Sequence, residues 1–274
     1  MLFSLEIHKV FLQKNIFIRA KIFTGFALAD MAAAYSKDTL FGDREVLESL
    51  FAQFDSIVVL DTETTGFSPR SDEVIELALL RVTAAGEAEE YDEFIRLSPG
   101  KRLPDKITDL TGITEEMLRG GVGKNEAARA LADMLGHGRT LVAAYNAQFD
   151  LVFLYYLLDA YGLAGTLKGV RFLDALTVYK DRRPYPHRLA DAVETYALVS
   201  QNTHRAIDDT HATYELLCAM ADEEDDLDRY INLFGYSAKY GLPKRRISSV
   251  TYCPQSFDAI GKLYAPPKED DTNQ

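Results

Sequence analysis

The sequence has no tryptophan and only two cysteines, Cys218 and Cys253, in 274 residues. That pair fits no zinc-ligand spacing and no disulfide framework, so both read as reduced thiols of a cytoplasmic protein. Long apolar runs are also missing. No stretch approaches the ~20 residues needed to span a bilayer, so no membrane association is expected. Positive charge is scarce: 30 Lys and Arg against 42 Asp and Glu leave a net charge of −12. A protein that coats duplex phosphates over a broad face is normally basic. Nucleic acid, if it is the partner, would be met locally, through a small basic rim and metal ions. Part of the acid excess lies in the run Asp222-Glu223-Glu224-Asp225-Asp226 and in Glu269-Asp270-Asp271. Both runs read as solvated.

What is present is a globular composition, 47% hydrophobic and 26% charged. It suits one large domain with appendages. Residues 1–42 read as an N-terminal extension, with Met31 as the expected start of the protein proper. Residues 43–222 carry the main domain. Residues 223–265 form a small C-terminal appendix, and 266–274 a disordered polar tail. The spacing of Val46, Leu47, Leu50, Phe51 and Phe54 predicts a helix over 43–54. Strands are expected from Ile57, over Val74 to Val82 and over Tyr91 to Leu97, with a hairpin turn at Gly86. Short helical pieces follow at Pro104 to Leu110 and Thr114 to Leu118, the second capped by Thr114. Then helices over Asn125 to Leu135, Phe149 to Tyr161, Ala175 to Lys180, Leu189 to Tyr196 and Ala206 to Met220 are interleaved with strands at Thr140 to Ala144 and Val170 to Leu173. A meander followed by crossovers gives an α/β fold with a mixed sheet and helices on its faces.

Chemistry concentrates in three stretches. The first is Asp61-Thr62-Glu63-Thr64-Thr65-Gly66-Phe67, which follows the apolar run Ile57 to Leu60. Alternation along a strand turns Asp61 and Glu63 the same way, where each raises the other's pKa unless a hard cation joins them. Taken alone, such a triplet is more often a solvated strand end. The second is Asn146-Ala147-Gln148-Phe149-Asp150, where a strand hands over to a helix. Alone, Asp150 reads best as an acid favoured by a helix N-terminus. The third is His204-Arg205-Ala206-Ile207-Asp208-Asp209, a loop histidine before a helix with two adjacent acids. Neighbours lie about 100° apart around a helix, so one of Asp208 and Asp209 faces inward. The residues alone do not choose between them.

In order and spacing, the three stretches resemble the DEDDh exonucleases, the family of the epsilon-type proofreading subunit of bacterial replicative polymerases. The exonuclease domain of the large gram-positive replicative polymerase is similar in flavour, through Asp61 to Gly66, Ile113-Thr114 and His204-Arg205-Ala206. Tyr145 departs from the pattern, since many members have histidine there. The resemblance covers roughly residues 55–222 and implies a ribonuclease H-like fold with a five-stranded mixed sheet. It implies that Asp61, Glu63, Asp150 and Asp209 hold two Mg²⁺ or Mn²⁺ ions, and that His204 is the general base. The family spacing is what selects Asp209. Thr64, Thr65, Gly66, Phe67, Asn146 and Phe149 would bind the substrate, with Phe67 wedged against the last base.

The implied reaction is 3′-to-5′ hydrolysis of single-stranded or frayed DNA to nucleoside 5′-monophosphates. RNA ends are the alternative substrate, and a non-catalytic replication docking module is the alternative class. A DNA polymerase or another replication or repair protein is the implied partner, and oligomeric state is left open. Two basic stretches, Lys180 to Arg188 and Lys244-Arg245-Arg246, are candidates for gripping backbone phosphates.

Overall fold

The computed structural model describes residues 46–255. The expectations for the N-terminal extension, the start at Met31 and the polar tail lie outside the described residues. Of the helix expected over 43–54, the described part contains a short α1 (Glu48–Phe51), which buries Leu50.

Five strands form one sheet: β1 (Ser56–Thr64), β2 (Val74–Thr83), β3 (Ala88–Phe94), β4 (Thr140–Ala144) and β5 (Arg171–Asp174), in the order β3-β2-β1-β4-β5. The β1–β2 and β2–β3 pairs are antiparallel, and β1–β4 and β4–β5 are parallel. The expected mixed sheet is therefore present. Gly86 turns the β2–β3 hairpin with φ 88°, a conformation that glycine adopts without steric cost. β3 begins earlier than its apolar pattern suggested. Ala88 to Glu90 are exposed or half-buried but pair with β2 along an edge, where burial does not reveal the strand.

The helices are α2 (Asp105–Thr111), α3 (Glu115–Gly120), α4 (Lys124–Leu135), α5 (Ala147–Asp159), α6 (Ala175–Arg182), α7 (Leu189–Tyr196) and α8 (Ala206–Glu223). Thr114 caps α3 as expected, accepting from Met117 N at 3.3 Å. None of the described helices is long and apolar enough to cross a membrane.

Alternation along the central strands sorts the core into two layers. Ile57 and Val59 pack with residues of α6, α7 and α8. Val58 and Leu60 pack with residues of α4 and α5. Strands covered on both faces read as near-continuous apolar runs, which is why β1 and β4 were legible. The appendix adds β6 (Leu233–Tyr236) and β7 (Thr251–Pro254), a parallel pair. Its Phe234 and Val250 are buried in the α4–α5 layer, and Asn232 exchanges hydrogen bonds with the backbone of Phe172 on β5.

Just after β3, Ile95 bridges Val122 in parallel, and Val122 N donates to Phe94 O at 2.8 Å. A Cβ at Gly121 would overlap that same Phe94 carbonyl, which is backbone and cannot swing away. Gly121→Ala should cost about 1–3 kcal/mol. A thermal melt would show this as a fall of roughly 2–4 °C per kcal/mol. A melting temperature equal to the parent's would contradict the packing.

Candidate active site

β1 outruns its parallel neighbour. The β1–β4 pairing ends at Val59↔Ala143, whereas β1–β2 continues to Thr64↔Val74. The chain leaves β1 toward β2 on one side, and β4 leads to β5 on the other. The crevice between β1 and β4 is thus the switch point of the sheet, where α/β folds bind ligands. Asp61 and Glu63 project from the free extension of β1 and are partly accessible. They follow Ile57 and Val59 on the face covered by α8.

Asn146 joins β4 to α5 in a left-handed conformation, φ 66° and ψ 47°. Asparagine tolerates that region better than most residues. Its side chain is exposed and makes no capping hydrogen bond. The turn is held from below by buried Asp174, which accepts from Ala147 N at 3.1 Å and from the Thr177 hydroxyl at 2.5 Å. Asp150, one turn into α5, is buried and accepts from Thr62 N at 3.1 Å and from the Thr62 hydroxyl at 2.6 Å. Thr62 alternates with Asp61 and Glu63, so it faces the α5 side and ties Asp150 to the strand that carries them.

His204 is exposed on the loop before α8, with φ 60°. Asp209 is buried, and both its oxygens are occupied: Asn202 Nδ2 donates at 2.6 Å and Thr203 N at 3.1 Å. Asp208 instead accepts from the Thr203 hydroxyl at 2.5 Å. The ligand atoms of Glu63, His204 and Asp209 lie within 4.8 Å of one another.

Burial and mutual repulsion dominate the electrostatics. Asp61 is held well above the usual carboxylate range by burial, then by the charges of Asp150, Asp209 and Glu63. Glu63 is pushed up to about 8 by burial, then by Asp209 and Glu76. Asp150 rises to about 7 through burial, despite the Thr62 hydrogen bonds. Asp209 is raised by burial as well. Four carboxylates so placed form a hard-oxygen donor set that suits divalent cations.

The acids also set a stability trend. Unfolded carboxylates titrate near ~4, whereas folded Asp150 and Glu63 titrate at about 7 and about 8. Between these limits the native state binds more protons than the unfolded state, so stability falls as pH rises through about 4–8. Melting temperatures in EDTA should decrease from pH 5.5 to 8.5. A flat or rising profile would count against the coupled acids. The depressed acids Asp55, Asp191, Glu73 and Glu223 act below that window.

In the sequence Glu76 reads as structural or solvated and Arg205 only as part of the third stretch; the structure makes them a supporting pair. Glu76 is the β2 register partner of Glu63 and is 1% exposed. It receives Arg205 Nε at 2.9 Å and Nη2 at 2.6 Å, and its other oxygen accepts Ala206 N at 3.1 Å. The residue next to His204 is thereby anchored to the strand beside Glu63. Counting the β1–β2 register back from the turn at Pro69 and Arg70 would have exposed the Glu63–Glu76 pair.

The substrate candidates divide. The Thr64 and Thr65 hydroxyls are buried in the turn: Thr64 donates to Gly66 O at 2.7 Å, and Thr65 accepts Glu73 N at 2.9 Å. Gly66 lies against the Asp72 carboxylate, which a Cβ would strike. Phe67 is 81% exposed, its ring 6.3 Å from Phe149, which in turn packs on Phe153 at 5.0 Å.

The arginines of the Lys180 to Arg188 stretch have partners within the protein. Arg182 is committed to Met220 O and Asp226, Arg183 to Glu223, and Arg188 to Asp191. The acidic run is correspondingly not merely solvated, since Glu223 and Asp226 are the partners that hold these arginines.

A profile described as "Exonuclease", of the ribonuclease T type, matches residues 58–217, more than half of the chain. The chain belongs to this exonuclease family. Among similar proteins, the PolC-type DNA polymerase III of Clostridium perfringens is 33% identical over 60% of this chain and 11% of its own length. That of Halalkalibacterium halodurans is 31% identical over 76% of this chain and 14% of its own. The chain thus spans about a seventh or less of these relatives. Among solved structures, Escherichia coli exonuclease I in complex with a dA16 oligonucleotide aligns with TM-score 0.56 and 18% identity, over 64% of this chain and 42% of that one. Exonuclease I of Methylocaldum szegediense aligns with TM-score 0.56 and 21% identity, over 63% and 41%. At such identities the likeness speaks for the ribonuclease H-like fold alone.

Proposed function

We propose that the chain is a metal-dependent 3′-to-5′ exonuclease that releases nucleoside 5′-monophosphates from single-stranded or frayed DNA. The observation that carries this reading is the convergence of Asp61, Glu63, Asp150 and Asp209 at the β1–β4 crevice, with His204 beside Glu63 and Asp209.

The four carboxylates would hold two Mg²⁺ or Mn²⁺ ions. When bound, such ions neutralise the acids and stabilise charge on both sides of an in-line displacement at phosphorus. His204, on its exposed loop, takes the proton of the attacking water as general base. The Glu76–Arg205 pair and the left-handed backbone at residue 204 fix where that imidazole stands. Phe67, backed by Phe149, offers a flat face to the terminal base, and stacking tolerates any base. The backbone of Thr64 to Gly66 lines the terminal nucleotide, while the threonine hydroxyls shape the turn. The likeness to the exonuclease part of PolC-type polymerases supports a replication or repair setting, with a polymerase as partner.

The test is direct. Purified protein is incubated with labelled single-stranded DNA and a matched RNA, in Mg²⁺ or Mn²⁺. Mononucleotides should accumulate from the DNA and vanish with EDTA. Faster breakdown of the RNA would change the substrate, and no cleavage of either would end the proposal.

A further inference from the structure

Beyond the crevice, a cleft of about 480 Å³ opens between α5, the start of β5 and the segment 245–249 of the appendix. In a chain of net charge −12, its walls carry, among the described residues, Lys168, Arg171, Arg245 and Arg246 and no carboxylate. Among the described residues, none of these four cations has a salt-bridge partner. Aromatic faces accompany them. Tyr155 is 43% exposed, its ring 5.7 Å from that of Tyr156, and the Arg245 guanidinium lies 4.6 Å over Tyr156. Arg70, three residues after Phe67, reaches the Tyr156 hydroxyl at 3.5 Å.

The cleft shares a helix with Asp150. Leu151, Val152, Tyr155 and Tyr156 follow Asp150 on the same helix. At ~1.5 Å rise and about 100° per residue, Tyr155 lies about 7–8 Å along the axis from Asp150 and roughly 140° around it. The opposite wall is clamped to that helix by Gln148. Its amide donates to Arg245 O at 2.8 Å, and its carbonyl accepts the Tyr252 hydroxyl. Tyr252 also accepts Ile247 N at 2.9 Å. Gln148 thus locks the basic segment two residues from Asp150.

We propose that this cleft is an upstream subsite for the single strand, holding phosphates and stacked bases a few nucleotides 5′ of the scissile bond. The inference rests on the exonuclease reading and adds where the rest of the strand lies. Cations supply sequence-independent attraction to phosphates, and tyrosine faces take any base, which together suit single-stranded nucleic acid. An acidic peptide would satisfy the cations, but it gives no reason for clamping the wall to the helix that carries Asp150.

The test compares oligothymidylates from the dinucleotide to the 20-mer. Two double variants sit on opposite walls: Lys168→Ala with Arg171→Ala, and Arg245→Ala with Arg246→Ala. In the second, the backbone carbonyl that Gln148 holds is retained. For the parent, KM should fall with length. In each variant, KM for the 20-mer should rise by ~10-fold with kcat little changed, and the effect should shrink toward the dinucleotide. The slope of log KM against log salt should decrease by roughly 0.7 for each phosphate that is no longer neutralised. Parent-like KM values at every length in both variants, with normal dinucleotide hydrolysis, would overturn the subsite alone. So would a KM independent of length, or displacement by a glutamate-rich peptide with no effect on oligomer KM. No hydrolysis of any length by the parent protein would overturn the exonuclease reading and this inference with it.

Discussion

Asp61→Asn should lower nuclease activity by about 10³-fold or more while making the metal-free protein more stable. The two effects have one cause. Asp61 stands in the middle of the acidic set, and its pKa is raised by burial and then by Asp150, Asp209 and Glu63. Near pH 8 in EDTA, ionising it brings another negative charge into a desolvated site. Asparagine keeps nearly the same shape and removes that charge, so the melting temperature should rise, by roughly 2–4 °C per kcal/mol relieved. With Mn²⁺ the order should reverse. The parent gains stability by binding the ion in its native state only, and the variant loses most of that gain. The activity loss follows because several kcal/mol of charge stabilisation depend on the ions being held, at about 1.36 kcal/mol per decade of rate. Thermal melts with and without Mn²⁺, alongside single-strand degradation, read both effects. A variant less stable than the parent in EDTA would show that Asp61 supports the fold rather than burdening it.

His204→Asn should reduce kcat by ~10²–10⁴-fold with little change in melting temperature. The residue is exposed and adopts φ 60°, and asparagine accepts that backbone more readily than alanine does. The substitution therefore removes the base without disturbing the loop, which Glu76 holds through Arg205 and Ala206 N. His204 also has a ring nitrogen within 4.8 Å of ligand atoms of Glu63 and Asp209. The general-base role requires Mn²⁺ affinity to be retained in the variant. A tenfold loss of that affinity, measured by calorimetry, would instead make the histidine a ligand.

Much of this arrangement was legible before any coordinates. The double-sided burial of β1 and β4 writes itself as apolar runs, and the break after Leu60 marks where the acids begin. Helical spacing located α4, α5, α7 and α8 to within about three residues. Local pattern could not choose between Asp208 and Asp209. The side of α8 that turns toward β1 is a tertiary property, and only Asp209 is buried beneath Asn202 and Thr203. The edge residues Ala88 to Glu90 were missed because solvent on an edge strand erases alternation. The partners of the basic stretch from Lys180 were hidden for a related reason. Charge in sequence does not reveal its partner, and here Glu223 and Asp226 at the end of α8 and beyond close over the arginines. Glu76 could be read only as structural or solvated, because its partners depend on register with Glu63 and on an arginine 129 positions away.

The central claim is that these acids direct water to the phosphorus at a 3′ end. It is tested most directly by digesting a single-stranded oligomer with one distinguishable 3′-terminal nucleotide, in ¹⁸O-labelled water with Mn²⁺. The first product should be that terminal nucleoside 5′-monophosphate, carrying one ¹⁸O on its phosphate. A 3′-monophosphate, an unlabelled product or release beginning at the 5′ end would contradict the account.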